Sequence, residues 1–313
     1  MKPALLINCS INDDSYKILS EKYSLHFIEQ DEDRDAFLEK FSPIIQGIVT
    51  RGPKPLDAKL MSSMPKLEII CNMSAGLGAI DLEAARAANV VVTNGSGANS
   101  PSVADHAIGL LLAVSRRTVP NDDLMRSNMA NEFIERIRTD TICGKTLGIL
   151  GLGSIGTEVA KRAGGFDMEI FYHNRNQRSD VPFHYCSSLM ELAVKSCHLI
   201  ISCPGGDETH HIVDSEILEA LGPKGIVVNV ARGSIVDTGA LVQALEKGRI
   251  LGAGLDVVEG NEEDRKALSR MENVVLTPHI SGHTHESIKR QNALICDIVN
   301  AHFTGKPFKN RVV

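Results

Sequence analysis

The sequence feature that most constrains the fold is a glycine-rich turn between a strand-like run and a helical pattern. Thr146–Leu150 has the pattern of a buried strand, and Gly151, Gly153 and Gly156 follow it at the spacing GxGxxG. The first glycine permits a tight turn, the second lets a pyrophosphate approach the backbone, and the third lets the helix pack against the sheet. Glycine-rich turns also occur only to reverse a chain. The strand before this turn and the helix after it favour dinucleotide binding, with the first helical amides facing an anion.

The end of the next predicted strand, Met168–Tyr172, indicates which dinucleotide is bound. An NAD enzyme usually carries an acidic residue there to hold the ribose hydroxyls. Residues 173–178 contain none, and Asn174, Arg175 and Arg178 offer donors and positive charge instead. Because guanidinium groups bind phosphate oxygens in pairs, these residues favour NADP, with NAD as the other possibility. The alternative is a basic loop that is only solvated.

Composition excludes several classes of protein. A chain of 313 residues with 43% hydrophobic residues is long enough to bury two cores. Its formal net charge of −6 and the lack of Lys/Arg runs argue against a nucleic-acid partner. The seven cysteines are scattered without CxxC spacing, which predicts reduced thiols, no metal site and a cytoplasmic location. The longest apolar helix candidate, Val103–Val114, is too short to span a bilayer, so no membrane partner is expected.

Strand and helix patterns alternate along the whole chain. In the first part the predicted strands are 4–8, 24–28, 44–49, 67–72 and 90–93, and the predicted helices are 14–22, 33–40, 57–62 and 81–88. In the second part helices are predicted at 102–116, 122–135, 214–221 and 237–247, strands at 198–203, 226–230, 251–257 and 274–276, and a last helix at 284–303. Such alternation is typical of parallel sheets covered on both faces.

These patterns predict an α/β protein of two Rossmann-like domains. The breaker cluster Gly95–Pro101 marks the crossover between them. The prediction is a flavodoxin-like substrate domain from residues 1–98 and 284–313, and a dinucleotide-binding domain from 99–283.

Two residues that follow predicted strands of the second domain could perform chemistry together. Arg232 follows the strand 226–230, and His279 follows the strand 274–276. Hydride transfer to a carbonyl leaves negative charge on oxygen, so the site needs a proton donor and a fixed cation. His279 fits the first role and Arg232 the second. Singly, each is more often a structural residue; the pair in this context favours catalysis.

Strand ends of the first domain supply further candidates for substrate binding. Arg51 follows the third strand, and Ala75 and Gly76 lie in a loop after the fourth. Exposed amides beside glycines can bind an anion as a nest does. An ordinary turn, and for Arg51 a solvent-facing side chain, are the alternatives.

At these residues the chain resembles the D-2-hydroxyacid dehydrogenase family, specifically its glyoxylate/hydroxypyruvate and hydroxyphenylpyruvate reductase branch. The resemblance covers nearly the whole length, and its motifs are jointly specific. They are Asn94–Asp105, Gly151–Gly156, Asn229–Asp237, Gly252–Val257 and Asn273–His279.

The resemblance implies reduction of a 2-oxo acid to the D-2-hydroxy acid. Arg232 would bind the substrate, His279 would act as acid and base, and the Ala75–Gly76 backbone would receive the carboxylate. Cofactor contacts are implied at Val103, Gly153, Ser154, Ile155, Arg175, Arg178, Pro204, Val230, Asp256, Ser281 and Gly282. The helix that matches Val103–Val114 joins two subunits in this family, so a homodimer is expected.

The chain departs from the family at the acidic residue that pairs with the catalytic histidine. Asn261 takes that position when the motifs are kept in register; Glu262 takes it if the loop shifts by one residue. An Asn can orient an imidazole but supplies no charge, so a weaker proton donor at neutral pH is expected. We assign Asn261 to the catalytic set with Arg232 and His279.

The sequence leaves three functions open. The first is NADPH-dependent reduction of a small 2-oxo acid such as glyoxylate or hydroxypyruvate, and the second is reduction of a larger aryl-pyruvate. The missing acidic residue sustains the third, a dinucleotide-sensing protein similar to the C-terminal binding protein corepressors.

Overall fold

The computed structural model describes residues 2–28, 34–52, 54–127 and 138–313. They form two compact units, Met1–Asn99 with Thr284–Val313, and Ser100–His283. Pro53, the start of the helix predicted at 33–40 and the end of the one predicted at 122–135 lie outside the described residues.

The first unit is built around a five-stranded parallel sheet with the order β2-β1-β3-β4-β5. Its strands are β1 (Ala4–Asn8), β2 (Ser24–Phe27), β3 (Ile45–Thr50), β4 (Ile69–Asn72) and β5 (Val91–Thr93). Its helices are α1 (Asp13–Lys22), α2 (Arg34–Phe41), α3 (Ala58–Ser62), α4 (Leu82–Ala87) and, from the end of the chain, α12 (His285–Phe303). This strand order is the flavodoxin-like one.

The second unit contains a seven-stranded parallel sheet with the order β12-β11-β10-β9-β6-β7-β8. Its strands are β6 (Thr146–Leu150), β7 (Glu169–His173), β8 (His184–Tyr185), β9 (His198–Ile201), β10 (Ile226–Asn229), β11 (Gly252–Leu255) and β12 (Val274–Leu276). Its helices are α5 (Ser100–Ser115), α6 (Thr118–Arg126), α7 (Ser154–Gly164), α8 (Leu189–Lys195), α9 (Ser215–Leu221), α10 (Thr238–Glu246) and α11 (Glu262–Ser269). The strand order reverses next to β6, as in dinucleotide-binding folds. The predicted α/β class with two Rossmann-like parallel sheets is confirmed.

Both faces of the second sheet are covered, because neighbouring residues of one strand enter different cores. Leu199 and Ile201 of β9 pack in one apolar cluster, whereas Ile200 packs in the other with Val228. Side chains of a strand alternate between faces, so continuous apolar runs fit a sheet buried on both sides.

Helix α5 packs closely against the sheet of its own unit. Leu110 and Leu111 are buried, and a Cβ added at Gly254 of β11 would lie 2.9 Å from the Leu110 Cβ. The apolar character of α5 is therefore used within one chain and does not itself require a second subunit. The homodimer stays a prediction.

Three short elements were not predicted: β8, α8 and α11. A sequence signal for α8 was present, since Ser188 caps it by accepting from the Glu191 amide at 3.1 Å, the serine and glutamate spacing of a capping box. Helix α6 begins four residues before the predicted start at 122. Among the described helices, none combines the length and hydropathy that a bilayer crossing requires.

Candidate active site

Three strand ends of the second unit meet at one cleft. β10, β11 and β12 are parallel neighbours, so their carboxyl ends share one edge of the sheet. Arg232 follows β10, Asp256 directly follows β11, and His279 follows β12. All three line a cleft of about 600 Å³. The structure thus brings together Arg232 and His279, the two side chains predicted as a catalytic pair.

The turn that carries Arg232 is held by the side chain of Asn229. Its Nδ2 donates to the Arg232 carbonyl at 2.9 Å, and its Oδ1 accepts from the Ala231 amide at 3.0 Å. The arginine stem packs over Gly205, where an added Cβ would lie 2.7 Å from the Arg232 Cγ. A glycine at 205 therefore leaves room for this arginine side chain at the cleft.

Asp256 organises the loop that carries His279. Its Oδ1 accepts from the Thr277 hydroxyl at 2.6 Å and the Ile280 amide at 2.9 Å, and its Oδ2 accepts from the Ser281 amide at 3.0 Å. Burial alone would raise the pKa of Asp256, but the hydrogen bonds from Thr277, Ser281 and Ile280 outweigh burial and lower that pKa. Asp256 is therefore a buried carboxylate that fixes the loop.

His106 of α5 completes this network from the other side. Its Nε2 lies 2.9 Å from the Thr277 Oγ1 and 3.6 Å from the Asp256 Oδ1. Because the single hydroxyl proton of Thr277 is donated to Asp256, the His106 Nε2 must be the donor to Thr277. Sequence reasoning missed His106, which directly follows the Asn94–Asp105 motif but offers no local signal of a partner 171 residues away.

The backbone of His279 adopts a left-handed conformation with φ 56°. Its amide donates to the Asp256 carbonyl at 2.9 Å, which ties the residue to the end of β11. Non-glycine residues seldom adopt this conformation, although His, Asn and Asp do so more often than others. The loop thus fixes the position of the His279 backbone from which the imidazole projects.

The predicted contact between Asn261 and His279 is absent. Asn261 is the N-cap of α11: its Oδ1 accepts from the Asp264 amide at 2.8 Å, and its Nδ2 donates to the Asp264 carboxylate at 2.9 Å. Both amide atoms are therefore used by the cap. Glu262, the other candidate, pairs with Lys266 at 2.6 Å on an exposed helix face. A catalytic role for Asn261 stays a prediction without a contact to support it.

Arg265 lies one turn into α11 and lines the same cleft as Arg232 and His279. Within the described ranges, its guanidinium makes no ion pair or hydrogen bond. Sequence reasoning missed this residue. Its spacing of three from the buried Leu268 was the available signal, because residues at i and i+3 share one helix face.

The glycine-rich turn after β6 has the space that a dinucleotide needs. A Cβ at Gly151, which has φ 96°, would lie 2.5 Å from the Cys203 amide nitrogen, and a Cβ at Gly156 would lie 2.4 Å from the Gly151 carbonyl oxygen. A Cβ at Gly153 would meet no atom within 4 Å. The first and third glycines are thus required by the protein's own packing. The second leaves open space beside Ser154 and Ile155 at the start of α7, which fits a pyrophosphate.

The polar and basic side chains after β7 differ in how far they already bind other protein groups. The Asn174 Oδ1 accepts from the Leu152 amide at 2.6 Å, and the Arg178 Nη1 donates to the Leu152 carbonyl and the Thr157 hydroxyl, both at 3.0 Å. Arg178 also pairs with Asp180, whose hydrogen bond raises the pKa of the guanidinium. The Asn174 oxygen and the Arg178 guanidinium therefore brace the glycine-rich turn, and the Arg178 donors are already engaged. Arg175 is exposed and contacts Glu208.

The remaining predicted cofactor residues occupy varied environments. Val103 and Val230 are buried in one apolar cluster, and Ser281 is buried with its amide on Asp256. Pro204 is exposed after β9, and Gly282 is partly exposed near the end of the unit. Their contacts with a cofactor stay predictions.

In the first unit, considered by itself, the predicted substrate residues follow β3 and β4. The Arg51 guanidinium contacts the Gln291 side chain of α12. The carbonyls of Gly76 and Ala75 accept from Asn72 at 2.7 Å and from Asn94 at 3.4 Å. The backbone N–H groups of Ala75 and Gly76 donate to no described residue. Their role in carboxylate binding stays a prediction. The described residues contain no cluster of three or more side chains suited to a metal ion.

The comparisons with known proteins agree with this architecture. Residues 108–281 match the family described as D-isomer specific 2-hydroxyacid dehydrogenase, NAD binding domain. Hydroxyphenylpyruvate reductase of Plectranthus scutellarioides is 39% identical over 310 residues, covering 99% of this chain and 98% of that protein. Glyoxylate/hydroxypyruvate reductase A of Arabidopsis thaliana is 36% identical over 309 residues, covering 99% and 98%.

A solved structure is similar over the full length. The NADPH-dependent glyoxylate/hydroxypyruvate reductase of Sinorhizobium meliloti, in complex with NADP and malonate, is 32% identical with a TM-score of 0.83, covering 100% of this chain and 97% of that chain. With these matches and this fold, the chain belongs to the D-2-hydroxyacid dehydrogenase family of NAD(P)-dependent oxidoreductases.

Proposed function

We propose that this chain reduces a small 2-oxo acid of the glyoxylate or hydroxypyruvate type to the D-2-hydroxy acid, with NADPH as the hydride donor. The observation that carries the proposal is that Arg232 and His279 line one cleft at the carboxyl ends of neighbouring parallel strands. Ligands of open α/β sheets bind beyond that edge. The relatives named above support reduction of a 2-oxo acid.

The two side chains divide the chemistry between them. A bound nicotinamide supplies a hydride to the carbonyl carbon. Arg232 holds the carboxylate and the carbonyl oxygen with its guanidinium, and so stabilises the negative charge that develops on that oxygen. His279 gives a proton to the same oxygen. Arg265 adds a second cation to the cleft that attracts the anionic substrate.

NADPH is proposed as the preferred donor because Arg175 presents an exposed guanidinium two residues after β7. A 2′-phosphate is the ligand that such a group binds best. The S. meliloti relative that holds NADP supports the same assignment.

A larger aryl-pyruvate is the second candidate substrate. The cleft has an apolar side formed by Val258, Leu268 and Leu276, and an aromatic ring would gain from burial there. The relative named hydroxyphenylpyruvate reductase supports this candidate.

The proposal is tested by following NADPH oxidation with glyoxylate, hydroxypyruvate and hydroxyphenylpyruvate. We expect turnover with the small acids and a loss of roughly 10²- to 10⁴-fold in kcat for His279→Asn. Asn suits this variant because it tolerates a left-handed backbone. Unchanged NADPH binding by His279→Asn is the control for folding. Tight NADPH binding without turnover of any acid would refute the proposal and favour a dinucleotide sensor.

A further inference from the structure

An acidic side chain from a distant loop reaches the basic residue after β7. The Arg175 Nη1 lies 3.1 Å from the Glu208 Oε2, although the two residues are 33 positions apart in the chain. Glu208 belongs to the 3₁₀ turn Asp207–Thr209, which follows β9. The loop after β7 contains no carboxylate of its own before Asp180. The fold places the Glu208 carboxylate beside this loop instead.

The sheet order places this pair beside the glycine-rich turn. β6 lies between β9 and β7, and all three strands are parallel. The loops after β7 and β9 therefore flank the turn Gly151–Gly153 that follows β6. A dinucleotide whose pyrophosphate rests on that turn has its adenosine ribose beyond the end of β7, where Arg175 and Glu208 meet.

The ion pair itself is easily exchanged. The side chains of Arg175 and Glu208 are 86% and 78% exposed, and exposed pairs contribute little to stability. Arg178, in contrast, is engaged with Asp180, Leu152 and Thr157. Arg175 is therefore the guanidinium in this loop that a ligand can take over from its present partner.

We propose that Glu208 is a cofactor-specificity residue that lets this enzyme accept NADH beside NADPH. The proposal rests on the proposed function above and deepens it. The Glu208 carboxylate accepts hydrogen bonds from the ribose hydroxyls of NADH, the task for which NAD enzymes use an acidic residue. A 2′-phosphate must instead displace Glu208 from Arg175 and stay close to its negative charge.

The test measures nucleotide affinity directly, by calorimetry on the full-length protein with adenosine 2′,5′-bisphosphate and adenosine 5′-monophosphate. For Glu208→Gln we expect the bisphosphate to bind about 3- to 10-fold more tightly and the monophosphate to bind more weakly, the scale of one surface charge pair. Asp207→Asn is the matched control, because it removes the same charge from the neighbouring residue, and we expect less than about a 2-fold change.

A double variant separates the pair from general charge effects. If Glu208 acts largely through Arg175, Glu208→Gln in an Arg175→Gln background gains less bisphosphate affinity than it does in the wild-type background. In turnover assays, Glu208→Gln should raise the ratio of kcat/KM for NADPH over NADH by a similar factor. Equal effects of Glu208→Gln and Asp207→Asn, or an undiminished gain in the double variant, overturn the proposal.

The two proposals fail in different ways. Nucleotide affinities that respond to Glu208→Gln as expected, in a protein that turns over no 2-oxo acid, refute the proposed reaction and support the role of Glu208. Turnover of a 2-oxo acid with a nucleotide preference that Glu208→Gln leaves unchanged supports the reaction and refutes that role.

Discussion

Lowering the pH from 7.5 to 5 should weaken the second unit through one buried imidazole, that of His198. This residue begins β9 in the interior of the sheet and is 1% exposed. Neither ring nitrogen makes a hydrogen bond of normal geometry to a described residue. Burial, followed by the positive charge of Lys145, lowers the pKa of His198 from 6.5 to about 4, and Asp140 and the Cys197 backbone oppose this only in part.

The sign and size of the effect follow from this depressed pKa. The folded protein holds His198 neutral, whereas the unfolded chain takes up a proton below about pH 6.5. The folded state therefore binds fewer protons between about pH 4 and pH 6.5, and its stability falls as the pH falls through that window. At pH 5 the pKa of His198 in the unfolded chain lies about 1.5 units above the pH. This difference corresponds to ~2 kcal/mol of lost unfolding free energy.

The variant His198→Leu isolates this contribution, because leucine fills a similar volume and does not titrate. Urea unfolding of both proteins at pH 7.5 and pH 5 should show the wild type losing ~2 kcal/mol more than the variant. The variant should also be more stable at pH 7.5 by about 1–3 kcal/mol, since it leaves no imidazole nitrogen unpaired. His184→Gln is a control, because His184 is exposed and contacts Glu169 and the Phe171 ring near the surface. A wild type and His198→Leu that lose the same free energy on acidification would refute the reasoning.

Three further predictions concern the site. Gly153→Ala should fold normally but bind NADPH more weakly, which calorimetry measures. Gly151→Ala should lower the melting temperature in a thermal melt, because a Cβ at Gly151, unlike one at Gly153, would meet protein atoms, and because Gly151 has φ 96°. Gly205→Val should displace the Arg232 stem, which lies 2.7 Å from the added Cβ, and raise KM for the 2-oxo acid roughly 10-fold or more with unchanged NADPH affinity; an unchanged KM contradicts this packing. Asp256→Asn should destabilise the protein by about 1–3 kcal/mol and reduce kcat, since the loop amides lose a charged acceptor; an unchanged urea midpoint contradicts the role of Asp256 as an anchor.

The architecture was predictable because its signals are local and repeated. Short strand-like runs, most of three to six residues, alternate with helical patterns, and each GxGxxG glycine has a separate steric reason that a sequence motif records. Arg232 and His279 could be placed for the same reason. A residue within a few positions of the end of a parallel strand lies at the carboxyl edge of the sheet, whichever strand is its neighbour.

The contacts that the sequence did not predict depend on competition between partners. Asn261 has an Asp three positions later, and the cap that it forms with Asp264 engages both side-chain amide atoms. Arg178 has Asp180 two residues on, which engages its guanidinium. The contact between Arg175 and Glu208 could not be predicted without the sheet order. That order brings together two loops that are 33 residues apart in the chain.

In the proposed reaction, the His279 imidazole is oriented first by its own main chain and then by the bound substrate. The amide of His279 and the loop around Asp256 fix the backbone from which the imidazole projects. Enzymes commonly orient such a ring by a hydrogen bond to its second nitrogen, and no such bond is made in the described part of the chain. Proton transfer requires the ring within about 2.6–3.2 Å of the accepting oxygen. Because the ring has no hydrogen-bond partner among the described residues, the proposed reaction requires the substrate carbonyl oxygen, bound by Arg232, to orient the imidazole. Rates should therefore depend strongly on how well an acid fills the cleft, and a poorly fitting acid should lose kcat as well as affinity.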